Sequence, residues 1–86
     1  PLEELLDAET REVMEEGLRR LPEELRTVFI LRDEDGHSNT EVAEMLDLSV
    51  PAVKSRLHRA RIALRDRLDR YFRDRMTRKD RPRGAG

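Results

Sequence analysis

Lys54, Ser55, Arg56, His58, Arg59 and Arg61 fall within the eight-residue run KSRLHRAR. Amine, guanidinium, hydroxyl and imidazole groups at this density can donate hydrogen bonds to an anion or to the edge of a base. Catalysis is not expected of them. No nucleophile and base stand together with an orienting third group, and no glycine-rich phosphate loop lies nearby. The acidic residues of the first half sit at surface spacings. His37 and His58 lack a third ligand at metal spacing, so no metal and no cofactor is expected.

The direction in which these side chains point follows from the apolar residues around them. Val50, Val53, Leu57, Ala60, Leu64, Leu68 and Tyr71 step by three and four and make one helical stripe that should be core. Opposite it, at about 100° per residue, stand Pro51, Ser55, His58, Arg59 and Ile62, with Lys54, Arg56 and Arg61 on the flanks. Ile62 is the odd member. It would meet a thymine methyl, be covered by a partner, or be a single exposed apolar residue.

Upstream of that helix the sequence reads as three more. Val13, Met14, Leu18 and Leu21 give a first helix over 8–21 with one buried stripe, ended by Pro22. Pro22 with Glu23 and Glu24 also opens a second helix, PEELRTVFILRD, because proline suits the first turn and carboxylates suit the positive end of the helix dipole. Leu25, Val28 and Phe29 share one face there, while Ile30 and Leu31 point elsewhere. A helix apolar nearly all round should be central to the bundle. Asp35-Gly36 supplies a turn, with Gly36 suited to a left-handed cap.

Ser38-Asn39-Thr40-Glu41 is a capping box that starts a third helix, whose buried face should be Val42, Ala43, Met45 and Leu46. Asp47-Leu48-Ser49 forms a corner, after which Ser49 caps the fourth helix and Pro51 fits its first turn. Past Phe72 the tail RDRMTRKDRPRGAG shows no periodicity and should end in disorder. The expected organisation is thus a linker end or helix lead-in over 1–7, a domain over 8–72 and a basic tail over 73–86. The fold class is all-α, a compact four-helix bundle containing a helix-turn-helix without winged elements.

Composition sets the frame. A chain of 86 residues makes one small domain and buries only about 60% of its unfolded surface, so no large catalytic cleft is expected. The absence of cysteine leaves close helix packing to hold it together and points to a reducing, cytoplasmic setting. No apolar run approaches the roughly 20 residues of a membrane span, so no membrane insertion is expected. Pro1 in place of Met suggests a piece of a longer polypeptide. The net charge of −1 conceals a division: residues 1–47 hold 5 Lys+Arg against 15 Asp+Glu, whereas residues 48–86 hold 13 against 4. An acidic front and a basic back suggest that the back half meets a polyanion.

Two short helices at a tight corner, the second basic and hydrogen-bonding on its outer face, fit a helix-turn-helix whose second member enters the DNA major groove. Lys and Arg can reach guanine N7 and O6 there, and the helix N-terminus offers backbone N–H groups to phosphate. The run from Leu21 to Leu68 closely resembles region 4 of bacterial sigma factors of the extracytoplasmic-function (ECF) group. The resemblance rests on Leu21-Pro22-Glu23, Leu31-Arg32-Asp33 with Asp35-Gly36, Ser38 with Glu41-Val42-Ala43, and above all Val53 to Arg61. It implies a domain that recognises the promoter −35 element, docks on the β-subunit flap of RNA polymerase core and is often masked by an anti-sigma factor.

By position, the resemblance implies that Lys54, Ser55, His58 and Arg59 face base edges and neighbouring phosphates. Arg56 and Arg61 would hold the DNA backbone or neighbouring helices, and Arg32 and Ser38 would meet phosphates. Two departures bear on sequence preference. Pro51-Ala52 stands where members often carry Gly-Thr, which removes a hydroxyl and changes how closely the backbone approaches DNA. Asn39 stands where an aromatic commonly follows the serine. Two other readings compete with this one: the four-helix effector domain of response-regulator and quorum-sensing transcription factors, and a module acting chiefly by docking to protein. Against the effector domain stands the continuous KSRLHRARIALRDRL.

Overall fold

In the computed structural model, residues 7–80 are described, with side chains through residue 76. Four α-helices and one π-helical segment follow in order: α1 Ala8–Arg20, α2 Glu23–Phe29, the π segment Ile30–Glu34, α3 Asn39–Leu46 and α4 Val50–Asp80. The architecture is all-α, a helical bundle whose last three elements include a helix-turn-helix.

Each boundary has a local chemical cause. Asp7 caps α1, accepting from the Thr10 backbone N–H at 2.7 Å. At the other end of α1, Arg26 Nη1 donates to the carbonyls of Arg19 and Leu21 at 3.2 and 3.4 Å, satisfying groups the helix leaves unpaired. Ser38 and Glu41 close both halves of the expected capping box: Glu41 N donates to Ser38 Oγ at 3.1 Å and Ser38 N donates to Glu41 Oε1 at 2.8 Å. Gly36 occupies the left-handed region at φ 80°, as a cap requires. Asp47 ends α3 in the same region at φ 54°, with Leu48 N donating to Ala43 O at 2.9 Å. Ser49 Oγ then accepts from Ala52 N at 3.2 Å and starts α4.

Met14, Leu18, Leu21, Val28, Phe29, Val42, Ala43, Val53, Leu57, Ala60 and Leu64 form one core. Leu25, Leu31, Leu46, Leu48, Val50 and Leu68 pack around it, half-buried. Four expectations need correction. The second helix does not run regularly to Asp33: after Phe29 the backbone widens, and Asp35 N donates to Ile30 O at 2.9 Å, a span of five residues. That wider turn brings Leu31 against the core, so an apolar belt all round α2 is not what the segment presents. The central element is α4, which packs on α1, α2 and α3 in turn. Met45 is 53% exposed and is not part of the buried face of α3, which consists of Val42 and Ala43 with Leu46 beside them.

The fourth correction concerns length. Helix α4 does not lose order after Phe72 but continues to Asp80, making it 31 residues and roughly 46 Å long. Its distal turns are held to α1 through Arg75, whose Nη1 lies 3.4 Å from Glu9 Oε2 and donates to Tyr71 Oη at 3.3 Å. Asp66 and Arg70 pair one turn apart, and Tyr71 meets Phe72 edge to face with centroids 5.2 Å apart. Local ion pairs of this kind support a helix without an apolar repeat. The expectations for residues 1–6 and 81–86 lie outside the described residues.

Candidate nucleic-acid interface

The core stripe fixes the rotation of α4. Val53, Leu57, Ala60 and Leu64 are buried and Val50, Leu68 and Tyr71 half-buried, so the opposite direction faces outward. Pro51, Lys54, Ser55, His58, Arg59, Arg61 and Ile62 are exposed, while Ala52 and Arg56 are half-buried. This outward face begins next to the α3–α4 corner, where Pro51 has no N–H and the Ala52 and Val53 N–H groups are taken up by the Ser49 hydroxyl and carbonyl oxygens.

Within the face, the side chains are sorted by their partners. Arg59 Nη2 donates to Ser55 Oγ at 3.1 Å, so a guanidinium and a hydroxyl one turn apart are set side by side. Among the hydrogen bonds and ion pairs described, Lys54 and His58 take part in none within the fold. The two flank arginines reach back to the bundle. Arg61 Nε and Nη2 donate to Asp33 Oδ2 and Oδ1 at 2.8 and 2.6 Å, a bidentate pair, and this bonding raises the Arg61 pKa above its ordinary value. Arg56 Nη2 lies 3.8 Å from Glu24 Oε2 on the opposite flank. Ile62, 47% exposed, continues the outward face beyond Arg59.

Beyond Ile62 the same side of α4 carries both signs of charge: at about 100° per residue Asp66, Asp69 and Arg73 all come within about 40° of the direction of Ser55, and Asp66 is paired with Arg70.

The two upstream candidates are placed differently. Ser38 is exposed at the start of α3, with its hydroxyl oxygen committed to the cap. Arg32 is half-buried in the π segment and its Nε donates to Asn39 Oδ1 at 2.9 Å, which ties that segment to the start of α3. Asp33 and Glu24 thus hold the flank arginines of α4 although sequence reasoning gave them no such part, and Asn39, noted there only for its bearing on sequence preference, holds Arg32. Asp33 and Arg61 are separated by 28 residues, so periodicity carries no signal for their meeting.

An open groove of about 430 Å³ lies between α2, α3 and α4, lined by Glu23, Glu24, Thr27, Leu46 and Arg56. It is acidic on the α2 side and has no grouping of nucleophile and base. Among the described residues, no set of three or more His, Cys, Asp or Glu side chains could hold a metal ion. No described helix is long and apolar enough to cross a membrane.

A helix-turn-helix whose second member shows a basic, hydrogen-bonding face defines the general class. Residues 6–64 match the family described as sigma-70, region 4, and the chain belongs to that family. It is 34% identical over 68 residues to the ECF RNA polymerase sigma-E factor of Haemophilus influenzae, covering 79% of this chain and 36% of that protein. To the ECF RNA polymerase sigma-E factors of Salmonella typhimurium and Escherichia coli it is 36% identical over 69 residues, covering 80% of this chain and 36% of each relative. The chain thus spans about a third of the length of the curated relatives it matches.

Proposed function

We infer that the chain recognises the promoter −35 element during transcription initiation, acting as the DNA-reading domain of an ECF RNA polymerase sigma factor. The carrying observation is the outward face of α4. Ser55, His58 and Arg59 are exposed there opposite the buried stripe, with Lys54 exposed on its flank, at the exit of a tight corner. An α-helix fits the major groove, where Arg59 and Lys54 can donate to guanine O6 and N7 and Ser55 and His58 to base edges or phosphates. Pro51 and Ala52, in the first turn, lie where the backbone would come closest to phosphate. Ser38 at the start of α3 and Arg32, tied to it through Asn39, approach the DNA backbone, Arg56 borders the contact on one flank, and Arg61 stands at the other flank with its guanidinium engaged by Asp33. Phosphate contacts set the register and the few base contacts set the preference.

The proposed protein partner is RNA polymerase core, through the β-subunit flap, with an anti-sigma factor as a second ligand, and the proposed setting is the cytoplasm. The names of the relatives support a polymerase partner, and the open groove beside Leu46 is a surface separate from the outer face of α4. The chain has little surface to offer and an acidic front half, so on its own it should bind DNA weakly; tethering to polymerase would raise the effective concentration. The test is fluorescence anisotropy of this chain with a panel of promoter-like duplexes and a scrambled duplex at two salt concentrations. A preferred duplex, with affinity falling steeply as salt rises, is expected from counterion release. Equal binding to every duplex, or none at low salt, would contradict the reading.

A further inference from the structure

Lys54, His58, Arg61 and Arg65 occupy one flank of α4, within about 60° of one another at about 100° per residue. Of the four, Arg61 is the one the fold holds from outside its own helix. Both of its donors are engaged by the Asp33 carboxylate, at 2.8 and 2.6 Å. The Asp33 side chain is 18% exposed and the Arg61 side chain 47%. Asp33 is aimed there by the π segment, whose extra residue rotates it away from the position a regular continuation of α2 would give it. Two consequences follow. A guanidinium at the border of the reading face is kept from phosphate, and the helix that carries the readers is fastened to the segment before the helix-turn-helix.

We propose that Asp33 is a specificity-determining and positioning residue of this domain: by holding Arg61 within the fold it withholds one sequence-independent phosphate contact and fixes the orientation of the Ser55–Arg59 face. This rests on the promoter-reading function proposed above. A phosphate contact strengthens binding to all duplexes alike, and a loosened α4 weakens only the contacts that need alignment. Releasing Arg61 therefore raises affinity for any DNA while eroding the preference for one. The assignment adds a residue with no expected DNA contact of its own to those that set sequence preference.

The test uses the 86-residue chain, the preferred duplex from the panel above and the scrambled duplex, with Asp33→Asn, Asp33→Glu, Arg61→Gln and the double variant Asp33→Asn/Arg61→Gln. Circular dichroism melts establish the folded fraction of each. For Asp33→Asn, scrambled-duplex affinity should rise roughly threefold or more at low salt and its log–log salt slope should steepen by about one, the signature of one added phosphate contact. The preference ratio should fall. Asp33→Glu, which keeps a carboxylate, should retain the parental slope, and in the double variant the steepening should be absent.

A steepened slope that persists in the double variant would overturn the proposal, because the effect would then be simple removal of a negative charge. So would an Asp33→Glu variant with a steepened slope, or an Arg61→Gln variant whose slope is shallower than the parent's by about one, since Arg61 would then already touch phosphate. A parent chain with no preferred duplex would instead remove the promoter reading itself. A parent with a clear preference and an unaltered Asp33→Asn variant would sink only the role given to Asp33.

Discussion

Ser55 Oγ accepts a hydrogen bond from Arg59 Nη2 at 3.1 Å across one turn of α4, on the side of the helix farthest from the core. A guanidinium held in this way loses less side-chain freedom on reaching a base than an unrestrained one would. The pair is therefore the centre of the proposed reading surface.

Replacing Arg59 with Ala should lower affinity for the preferred duplex by about 1–3 kcal/mol and relax the preference at one base position, the range for a lost base contact. Anisotropy titrations against single-base variants of that duplex read both quantities. Unchanged discrimination in a folded Arg59→Ala chain would exclude Arg59 as a reader.

Leu57 lies on the opposite side, 5% exposed within the core. Leu57→Ala should cost about 2–5 kcal/mol of stability. Met45, 53% exposed on α3, should tolerate the same change within about 0.5 kcal/mol. Urea unfolding of the two variants gives the comparison, and similar losses would mean that the burial pattern of α3 and α4 is not as described.

How far this arrangement could be read from the chain differs between elements. The capping box at Ser38, the turn at Gly36, the corner at Asp47-Leu48-Ser49 and the stripe from Val50 to Tyr71 are local patterns, and each appears where its residues indicate. Met45 misleads because α3 is only eight residues long, so a helical period fits several rotations and the packing of Val42 and Ala43 decides among them. The π segment has no local signature; it places Leu31 on the core and Asp33 beside Arg61, both tertiary demands. The turns of α4 beyond Phe72 are likewise held by the partner of Arg75 on α1, Glu9. Of the candidate interface, the exposed residues on the outward face of α4 follow from the stripe, whereas the attachments of Arg56, Arg61 and Arg32 depend on residues of other elements.

Two left-handed positions give predictions of opposite sign. Gly36 stands at φ 80° with open space around the position a Cβ would take, so Gly36→Ala should destabilise by about 1–2 kcal/mol through backbone strain alone. Asp47 holds φ 54° with a side chain, and Asp47→Gly should relieve part of that strain and raise the melting temperature. Thermal melts showing the two changes with the same sign would contradict this account of the two turns.

Acid should weaken the domain through its helix starts. The Ser38 backbone N–H, followed by the Ser38 side chain, holds the Glu41 carboxyl below its ordinary pKa of 4.5, and the Thr10 backbone N–H does the same for Asp7 below 3.8. A carboxyl with a lowered folded-state pKa contributes stability above its unfolded value and loses it as pH falls through the folded value. The melting temperature should therefore be level with respect to these groups at neutral pH and decline below about pH 4.5. Glu41→Gln should start lower at neutral pH and decline less on acidification. An identical acid response in parent and variant would show that the cap does not contribute.

The central claim, that the first turns of α4 meet DNA, is tested most directly by titrating a promoter-like duplex into the isotopically labelled chain and following its amide and side-chain resonances by NMR. The expected perturbations concentrate on residues 51–62 and on the start of α3 around Ser38, leaving α1 and the distal turns of α4 nearly unchanged. Perturbations centred on α1, or on the groove lined by Glu23, Glu24 and Leu46, would contradict it.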